Sequence, residues 1–489
     1  MDIYCVGIKG TGVCALAELF HSEGLSICGS DCGDVFYTDA ILEELGIPYY
    51  RSFSAEHITA EIKTVVYSAA YSPETNPELV EGRRLGIRLL KYTDALGEYS
   101  ARFDSSGIAG VHGKTTTAAL AGTLIRGAGL PARILVGSAV SGFGGRSTLN
   151  LGDKYFVAET CEYRRHFLAF HPRRIVLTSV ESDHQDYYPD YGAIRDAFLE
   201  YTGKLPSGGE LIYCADDPGA AEVALTAKRL AGEAGKVLTL TPYGFSAEGP
   251  VRIENYRGRD ERLLFTLPLF AGELRLRVPG RHLALDAAAA LALTSSLVRA
   301  EFGEDGWTDE RREAVRSALE DFRGSKRRSE ITGESGGILF MDDYGHHPTA
   351  LNSTLSGLRE FYPERRIIVS FMSHTYTRTA ALLNEFAASF QKADIVFLHK
   401  IYGSARETYT GGVNGKTLYE KVKALRDNVY YTEEPEDAAE LLIQILRPGD
   451  LFVTMGAGDN WKLGKELLAY YKSVTIQPPA GDSGKRIWQ

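Results

Sequence analysis

Gly107-Ile-Ala-Gly-Val-His-Gly-Lys-Thr-Thr-Thr117 is the stretch on which the reading of this chain turns. A short apolar run leads into it, and the helix-like AALAGTLI follows. A glycine-rich turn between strand and helix aims backbone N–H groups at one point, where a phosphate is held. On this reading Gly110, His112, Gly113, Lys114, Thr115 and Thr116 are the candidate nucleotide-binding residues. Lys114 reaches the terminal phosphates and Thr115 holds Mg²⁺. The strict GxxxxGK[ST] pattern would need glycine at Ile108, so GKTT carries the match.

Short apolar runs alternate with helix-like stretches on both sides of this loop, the mark of βαβ units and parallel sheets. Ile3–Gly7, Leu25–Gly29, Thr64–Ser68 and Ile87–Leu90 read as strands, with a helix over Thr11–Glu23. A polar break at Tyr99–Ser106 separates them from the strand that opens at Ile108. Val251–Tyr256, Arg262–Leu267 and Glu273–Val278 predict an antiparallel patch on the central, otherwise parallel sheet. Gly324–Ser329 reads as a second linker, and Ile338–Asp342, Arg366–Phe371, Ile395–His399 and Asp450–Gly456 as the strands of a third unit. The expectation is an α/β chain of three Rossmann-like or P-loop domains with mostly parallel sheets. Their bounds are 1–100, 101–325 and 326–475, with a Pro/Gly-rich tail over 476–489.

Composition agrees with this size and class. With 489 residues, at roughly 150 per domain, there is room for about three cores. Hydrophobic content of 44% and charged content of 24% exclude disorder as the main state. A net charge of −10 argues against nucleic acid as a partner, since a phosphate-backbone binder needs a basic face. Six cysteines without a CxxC pair or zinc-like spacing read as free thiols of a reducing cytoplasm. The N-terminus lacks a signal-peptide pattern. The longest apolar stretch, Leu283–Val298, is expected to be too short for membrane insertion.

Further candidates lie at strand ends, where ligands of open α/β sheets collect. Gly7-Ile-Lys-Gly-Thr-Gly12 opens a helix, and Asp31 follows the next strand. Its GxxGxG spacing fits a nucleotide or nucleotide-sugar phosphate better than a dinucleotide, and a tight turn without ligand is the alternative. Glu159 is placed to coordinate Mg²⁺, and His184 to hold a second ion. Asp342-Asp343-Tyr344-Gly345-His346-His347 suggests a site, with zinc as the rival reading for which no further spaced ligands are visible. His374, Tyr376 and Arg378 follow another strand, and His399 reads as a surface residue. The loop Met455–Asp459 is either a packing turn or a ligand loop.

The ordered set GIKGTG, GVHGKTTT, ETCEY, ESDHQDYY, RRSE, DDYGHHPTA, HTYTRT and MGAGD resembles the Mur ligases over nearly the whole chain. Within that family it is most similar to the alanine-adding branch. The resemblance implies a UDP-sugar domain, a central ATPase domain, and a C-terminal domain that closes over ATP and the amino acid. It implies ATP and Mg²⁺, with UDP-N-acetylmuramate and L-alanine as substrates, in a cytoplasmic monomer or homodimer. ATP would phosphorylate the lactyl carboxylate, and the alanine amine would displace phosphate from the acyl phosphate.

By the resemblance Lys114 contacts the ATP phosphates, Thr115 and Glu159 bind one Mg²⁺, and His184 binds another. Asp342 or Asp343 meets the ribose beside His346, and His282 lies in the segment that borders the adenine. Tyr344, His374 and Arg378 border the amino acid and sugar, while Gly10, Thr11, Gly12 and Asp31 serve the uridine diphosphate. The chain departs from the family at Lys9, Cys161, Ser179, Leu283 and Thr375, where glycine, Asp, Asn, Asn and Arg are usual. It also lacks, at 198–200, the lysine that other branches carry after the metal histidine. The departures leave two alternatives: a related ligase adding another amino acid or a peptide, and a nucleotide-binding regulator without turnover.

Overall fold

The computed structural model describes residues 1–476, except 260, 404–406, 408 and 410. The expected tail over 476–489 lies outside the described residues from 477 onward; Ile476 ends the helix Trp461–Ile476. Two compact units are present. The first comprises 1–278 and 282–326, and the second comprises 279–281 and the chain from Arg327 onward.

In the first unit a five-stranded parallel sheet runs in the order Tyr49–Tyr50, Ile27–Ser30, Ile3–Val6, Thr64–Tyr67, Arg88–Lys91. This is the doubly wound order 3-2-1-4-5, whose switch point lies beside the strand Ile3–Val6 and hence at the Gly7–Gly12 turn. A seven-stranded sheet follows, ordered Leu238–Tyr243, Gly209–Cys214, Arg174–Leu177, Asp104–Ala109, Tyr155–Glu159, Ala132–Val140, Arg146–Asn150. Its strands are parallel except for the edge hairpin Ala132–Val140 with Arg146–Asn150. The strand Asp104–Ala109 sits between the two next-door strands that end at Glu159 and Leu177. That pairing delivers the glycine loop and both acidic segments to one edge. The helix Lys114–Gly127 is buried almost throughout, because its Thr, Ala and Gly side chains let it lie close on the sheet.

Several expectations change here. The antiparallel strands form a separate three-stranded sheet of Glu254–Arg259, Arg262–Leu267 and Phe270–Leu276, not a patch on the central sheet. Glu254–Arg259 is largely exposed, Arg262–Leu267 is largely buried, and burial alternates only toward the end of Phe270–Leu276. The polar break at 99–106 is short, because Tyr99 and Ser100 end a helix and Asp104 already begins a strand. The apolar stretch thought too short for a bilayer is a 22-residue helix, Arg281–Phe302, long and apolar enough to cross one by length and composition. Most of it is buried inside the protein, as a core helix.

The second unit holds a six-stranded sheet ordered Glu330–Ser335, Ile338–Asp343, Leu451–Gly456, Ile367–Met372, Ile395–Leu398, Val429–Tyr431. Only the edge strand Glu330–Ser335 is antiparallel. The inner strands are buried on both faces and therefore read as unbroken apolar runs. His399, expected at the surface, is 1% exposed and lies 2.9 Å from Ser370 Oγ and 3.0 Å from Thr432 Oγ1. Burial pulls it down to about 4, so it is a neutral core histidine.

In the first unit Arg133, on a central-sheet strand, reaches the N-terminal region. Its guanidinium lies 2.5 Å from Glu23, 2.6 Å from the Tyr99 hydroxyl and 2.9 Å from Asp153. Arg133→Met leaves the partly buried Glu23 carboxylate, among the described residues, with only Arg102 and the Tyr99 hydroxyl, and should cost about 1.5 kcal/mol of unfolding free energy by chemical denaturation. A loss under about 0.5 kcal/mol would show that this contact does not tie the two sheets together.

Candidate functional site

The loop 110–113 needs two glycines for different reasons. Gly110 has φ +141°, and a Cβ there would lie 2.0 Å from Thr178 Oγ1. Gly113 begins the helix Lys114–Gly127 at φ +80°, where a Cβ would meet the Asp286 carboxylate at 2.6 Å. Thr178 and Ser179, at the end of a neighbouring strand, hold the loop. The N–H of Val111 donates to the Ser179 carbonyl at 3.0 Å and the N–H of His112 to Ser179 Oγ at 2.9 Å. Asp286 accepts from Thr117 Oγ1 at 3.1 Å, so the apolar helix Arg281–Phe302 braces the loop's helix. His282 sits one turn before Asp286 on that helix. His112 Nε2 lies 2.5 Å from a Glu181 carboxylate oxygen.

Two carboxylates meet the first turn of this helix. Glu159 accepts from Thr115 Oγ1 at 3.1 Å and, through its other oxygen, from the Gly137 N–H at 2.8 Å. Thr116 is buried beside Thr115. Glu162, 2% exposed, pairs with Lys114 Nζ at 2.9 Å and lies 3.2 Å from His184 Nε2. Burial opposes the charge on Lys114, but Glu162 with Cys161 and Glu159 outweighs it and raises the ammonium above its ordinary range. Burial likewise opposes ionisation of Glu162, and Lys114 and His184 reverse the balance and lower it. His184 adopts φ +55°, and among the described residues its buried Nδ1 has no hydrogen-bond partner.

The first glycine turn is framed by Asp31, 4% exposed. Its carboxylate accepts from the N–H of Lys9 at 2.7 Å, the N–H of Cys32 at 2.8 Å and the Tyr71 hydroxyl at 3.0 Å. Lys9 does not project from the turn. It is 1% exposed, bonded to the Asp34 carbonyl and 3.6 Å from the Asp39 carboxylate. Gly10 begins the helix Thr11–Ser22, Thr11 Oγ1 accepts from the Tyr37 hydroxyl, and Gly12 packs against the Tyr92 ring. A cavity of about 130 Å³ runs from Gly12 past Tyr92 and His166 to Gly137, Glu159 and Cys161.

In the second unit Asp342 accepts from Arg327 Nε at 2.8 Å and Thr454 Oγ1 at 2.7 Å; burial nonetheless raises its pKa. Asp343 accepts the N–H groups of Ser329 and Gly345, each at 2.7 Å. Both acids therefore frame the loop that carries Tyr344 and His346. The Arg327 and Arg328 guanidinium groups lie 5.1 and 5.3 Å from the Tyr344 ring. His346 Nδ1 lies 2.9 Å from the Tyr344 carbonyl, and its ring stands edge-on to His374 at 5.4 Å. Arg378, 4% exposed, donates to the His374 carbonyl at 2.9 Å. The loop Met455–Asp459 is a packing turn: a Cβ on Gly456 would lie 2.2 Å from the Met372 carbonyl, and the Gly456 and Gly458 carbonyls accept from Arg327.

The structure thus brings Lys114, Thr115, Glu159 and His184 to one edge, and Asp342, Asp343, Tyr344, His346, His374 and Arg378 to another. Glu162, Asp286, Ser179 and Arg327 are members of these clusters to which the sequence assigned no role, although Glu162 and Arg327 lie in ETCEY and RRSE and Ser179 marks a departure from the family. Their signal was available in part: Glu162 stands three residues after Glu159, and an acid inside an apolar helix, as at Asp286, calls for a partner.

Comparison with known proteins divides the chain into three segments. Residues 2–104 match the Mur ligase family catalytic domain, 108–294 the Mur ligase middle domain, and 327–458 the Mur ligase glutamate ligase domain. The chain is 52% identical to the UDP-N-acetylmuramate–L-alanine ligase of Treponema pallidum (strain Nichols) over 472 residues, 96% of this chain and 97% of that one. It is 38% identical to the enzyme of the same name from Desulfitobacterium hafniense, over 96% of this chain and 99% of that one. The structure of UDP-N-acetylmuramate-alanine ligase from Thermotoga maritima aligns with a TM-score of 0.76 at 24% identity, covering 97% of this chain and all of that one. A murein peptide ligase from Psychrobacter arcticus aligns at 0.63 and 21% identity, over 96% of this chain and 98% of that one. At these identities the two structures share the fold.

Glu162→Gln removes the main support for the charge on Lys114. The Lys114 ammonium should then titrate at lower pH than in the parent protein, followed by NMR of its side chain. An unchanged titration would show that Glu162 does not sustain that charge.

Proposed function

The chain belongs to the Mur ligase family, and from this premise we propose that it joins L-alanine to the lactyl carboxylate of UDP-N-acetylmuramate with conversion of ATP to ADP and phosphate. The observation that carries the reading is the phosphate loop with Lys114, Thr115 and Glu159 assembled at its rim, in a chain whose full-length relatives bear this activity in their names. We place the reaction in the cytoplasm, where ATP and UDP-sugars are available and free thiols persist.

A carboxylate is a poor electrophile toward an amine. Its oxygen therefore attacks the γ-phosphorus of ATP, ADP leaves, and an acyl phosphate remains. The alanine amine attacks the acyl carbon, loses a proton, and inorganic phosphate departs. Little covalent chemistry falls to the protein, whose task is to position three reactants and neutralise charge.

Lys114 is the cation for the terminal phosphates; it is buried and kept charged by Glu162. Gly110, His112, Gly113 and Thr116 shape the backbone that holds them. Thr115 and Glu159 are hard oxygen donors 3.1 Å apart, the type that Mg²⁺ accepts, and His184 offers an orphaned buried nitrogen. We assign one Mg²⁺ to Thr115 and Glu159 and another to His184; bound there, the metal neutralises phosphate charge as a Lewis acid.

We assign 1–100 to the UDP-sugar, with Gly10, Thr11 and Gly12 toward the diphosphate and Asp31 framing their turn. Residues 101–325 are assigned to ATP, with His282 toward the adenine. Residues 326–475 carry Tyr344, His346 and His374 for nucleotide and amino acid, on a loop framed by Asp342 and Asp343. The carboxylate of the amino acid falls to Arg378, since Thr375 supplies only a hydroxyl where the family usually has a second arginine.

The reading is tested by incubating the protein with UDP-N-acetylmuramate, ATP, Mg²⁺ and each amino acid in turn while phosphate release is measured. Release with L-alanine is expected, release only with another amine shifts the substrate, and none with any amine overturns the reading. Lys114→Ala should lower turnover by at least about 100-fold while UDP-sugar binding survives. Near-full turnover would remove Lys114 from the phosphates. His184→Ala should raise the Mg²⁺ concentration needed for half-maximal rate, and an unchanged requirement would take His184 out of the metal site.

A further inference from the structure

Glu162 and His184 sit on different loops, and one residue that none of these assignments uses is bonded to both. Tyr188, 3% exposed, donates its hydroxyl to the Glu162 carbonyl at 2.6 Å and its N–H to the His184 carbonyl at 2.8 Å. The N–H of Tyr187 donates to the same His184 carbonyl at 2.8 Å. A second tie lies nearer the surface. There the Tyr163 hydroxyl donates to Asp186 at 2.7 Å, and the Tyr163 ring lies 4.8 Å from the His184 ring. The segments 162–163 and 184–188 are thus fastened to each other through main chain and side chain alike.

The fastening matters because the second loop has no regular structure of its own. Between the strand ending at Leu177 and the helix starting at Tyr191 there is no helix or strand. His184 keeps a left-handed φ of 55°, which a residue other than glycine holds only where its surroundings impose it. The N–H groups of Tyr187 and Tyr188 on its carbonyl are such an imposition. The Tyr188 hydroxyl reaches the main chain of Glu162 and leaves the carboxylate to its own partners, Lys114 and His184. It therefore governs where Glu162 stands, not what charge it carries.

This spacing decides which ring nitrogen of His184 carries hydrogen. Glu162, ionised beside Lys114, only accepts hydrogen bonds, and it lies 3.2 Å from His184 Nε2. Asp183, 3.9 Å from the same nitrogen, is a second acid on that side. The hydrogen therefore sits on Nε2. In the neutral ring the lone pair then sits on Nδ1, the buried atom without a partner among the described residues. A histidine that ligates a metal is set in this way, by an acceptor on its other nitrogen. We propose that Tyr188 is a positioning residue: it holds the Glu162 and His184 loops at the spacing that keeps hydrogen on Nε2 and leaves Nδ1 free to take Mg²⁺. Its bearing on the reaction rests on the ligase reading.

Tyr188→Phe tests it, because the variant loses the hydroxyl and keeps the ring. In the ligand-free protein the His184 Nε2 hydrogen should exchange with solvent about tenfold faster than in the parent, read by NMR of ¹⁵N-labelled histidine. In the phosphate-release assay the Mg²⁺ concentration for half-maximal rate should rise about tenfold, while the KM for the UDP-sugar stays within about twofold. The double variant His184→Ala, Tyr188→Phe should need no more Mg²⁺ than His184→Ala alone, since the hydroxyl acts through that ring. The proposal falls if either the exchange rate or the Mg²⁺ requirement is unchanged in Tyr188→Phe, whatever happens to its Tm. It also falls if the double variant needs much more Mg²⁺ than His184→Ala, or if the parent ring carries its hydrogen on Nδ1. A parent protein that releases no phosphate with any amine overturns the ligase reading, and the exchange measurement still decides whether Tyr188 positions the His184 ring.

Discussion

One buried carboxylate, Glu162, holds both Lys114 and His184. Each of the three groups would be costly to bury alone, and each is stable because the others are there. The arrangement follows from sheet topology. The strand Asp104–Ala109 lies between the strands ending at Glu159 and Leu177, so the loop 110–113, the segment 159–163 and the segment 178–184 leave the sheet side by side. Changing strand order would scatter the groups however well each loop kept its own shape.

Acids at strand ends divide into two kinds. Glu159 and Glu162 face a hydroxyl, a histidine and a lysine that a nucleotide or metal can engage. Asp31, Asp342 and Asp343 instead face inward, to backbone N–H groups, an arginine or hydroxyls of their own loops. A carboxylate that accepts backbone N–H groups fixes loop shape as a glycine does, from the side-chain end. Lys9, where glycine is usual in the family, also turns inward: buried beside Asp34 and Asp39, it secures the turn.

The parallel strands were legible in the sequence because they are buried on both faces and read as unbroken apolar runs. The glycine loop was legible because phosphate binding demands both its composition and its place between strand and helix. Long-range partnership was not. His399 stands beside Lys400 in sequence, and only the packing of Ser370 and Thr432 shows it as core. The glycines at 456 and 458 resemble a ligand loop locally, yet Met372 and Arg327, far away in sequence, make theirs a packing turn. The three-stranded sheet was misplaced because strand spacing says which strands pair next to each other, not which sheet they join. Of the two site clusters, the members with a motif were named from sequence, whereas Glu162 and Asp286 needed the fold to bring their partners near.

The helix Arg281–Phe302 carries bilayer-length hydrophobicity in a protein that folds around it. Most of its polar contacts run to residues made earlier, Asp286 to Thr117, Ser296 to Arg174 and Glu210, and Glu301 to Tyr155, while Ser295 accepts from Trp307 just after the helix. During synthesis the segment therefore leaves the ribosome after the sheet that will cover it. A domain folds as a unit, so both this stretch and the sheet that covers it must have emerged before its apolar faces are buried. Permuting the gene to place it first would lengthen the time this bilayer-length segment waits for its cover, while the list of contacts that bury it stayed the same.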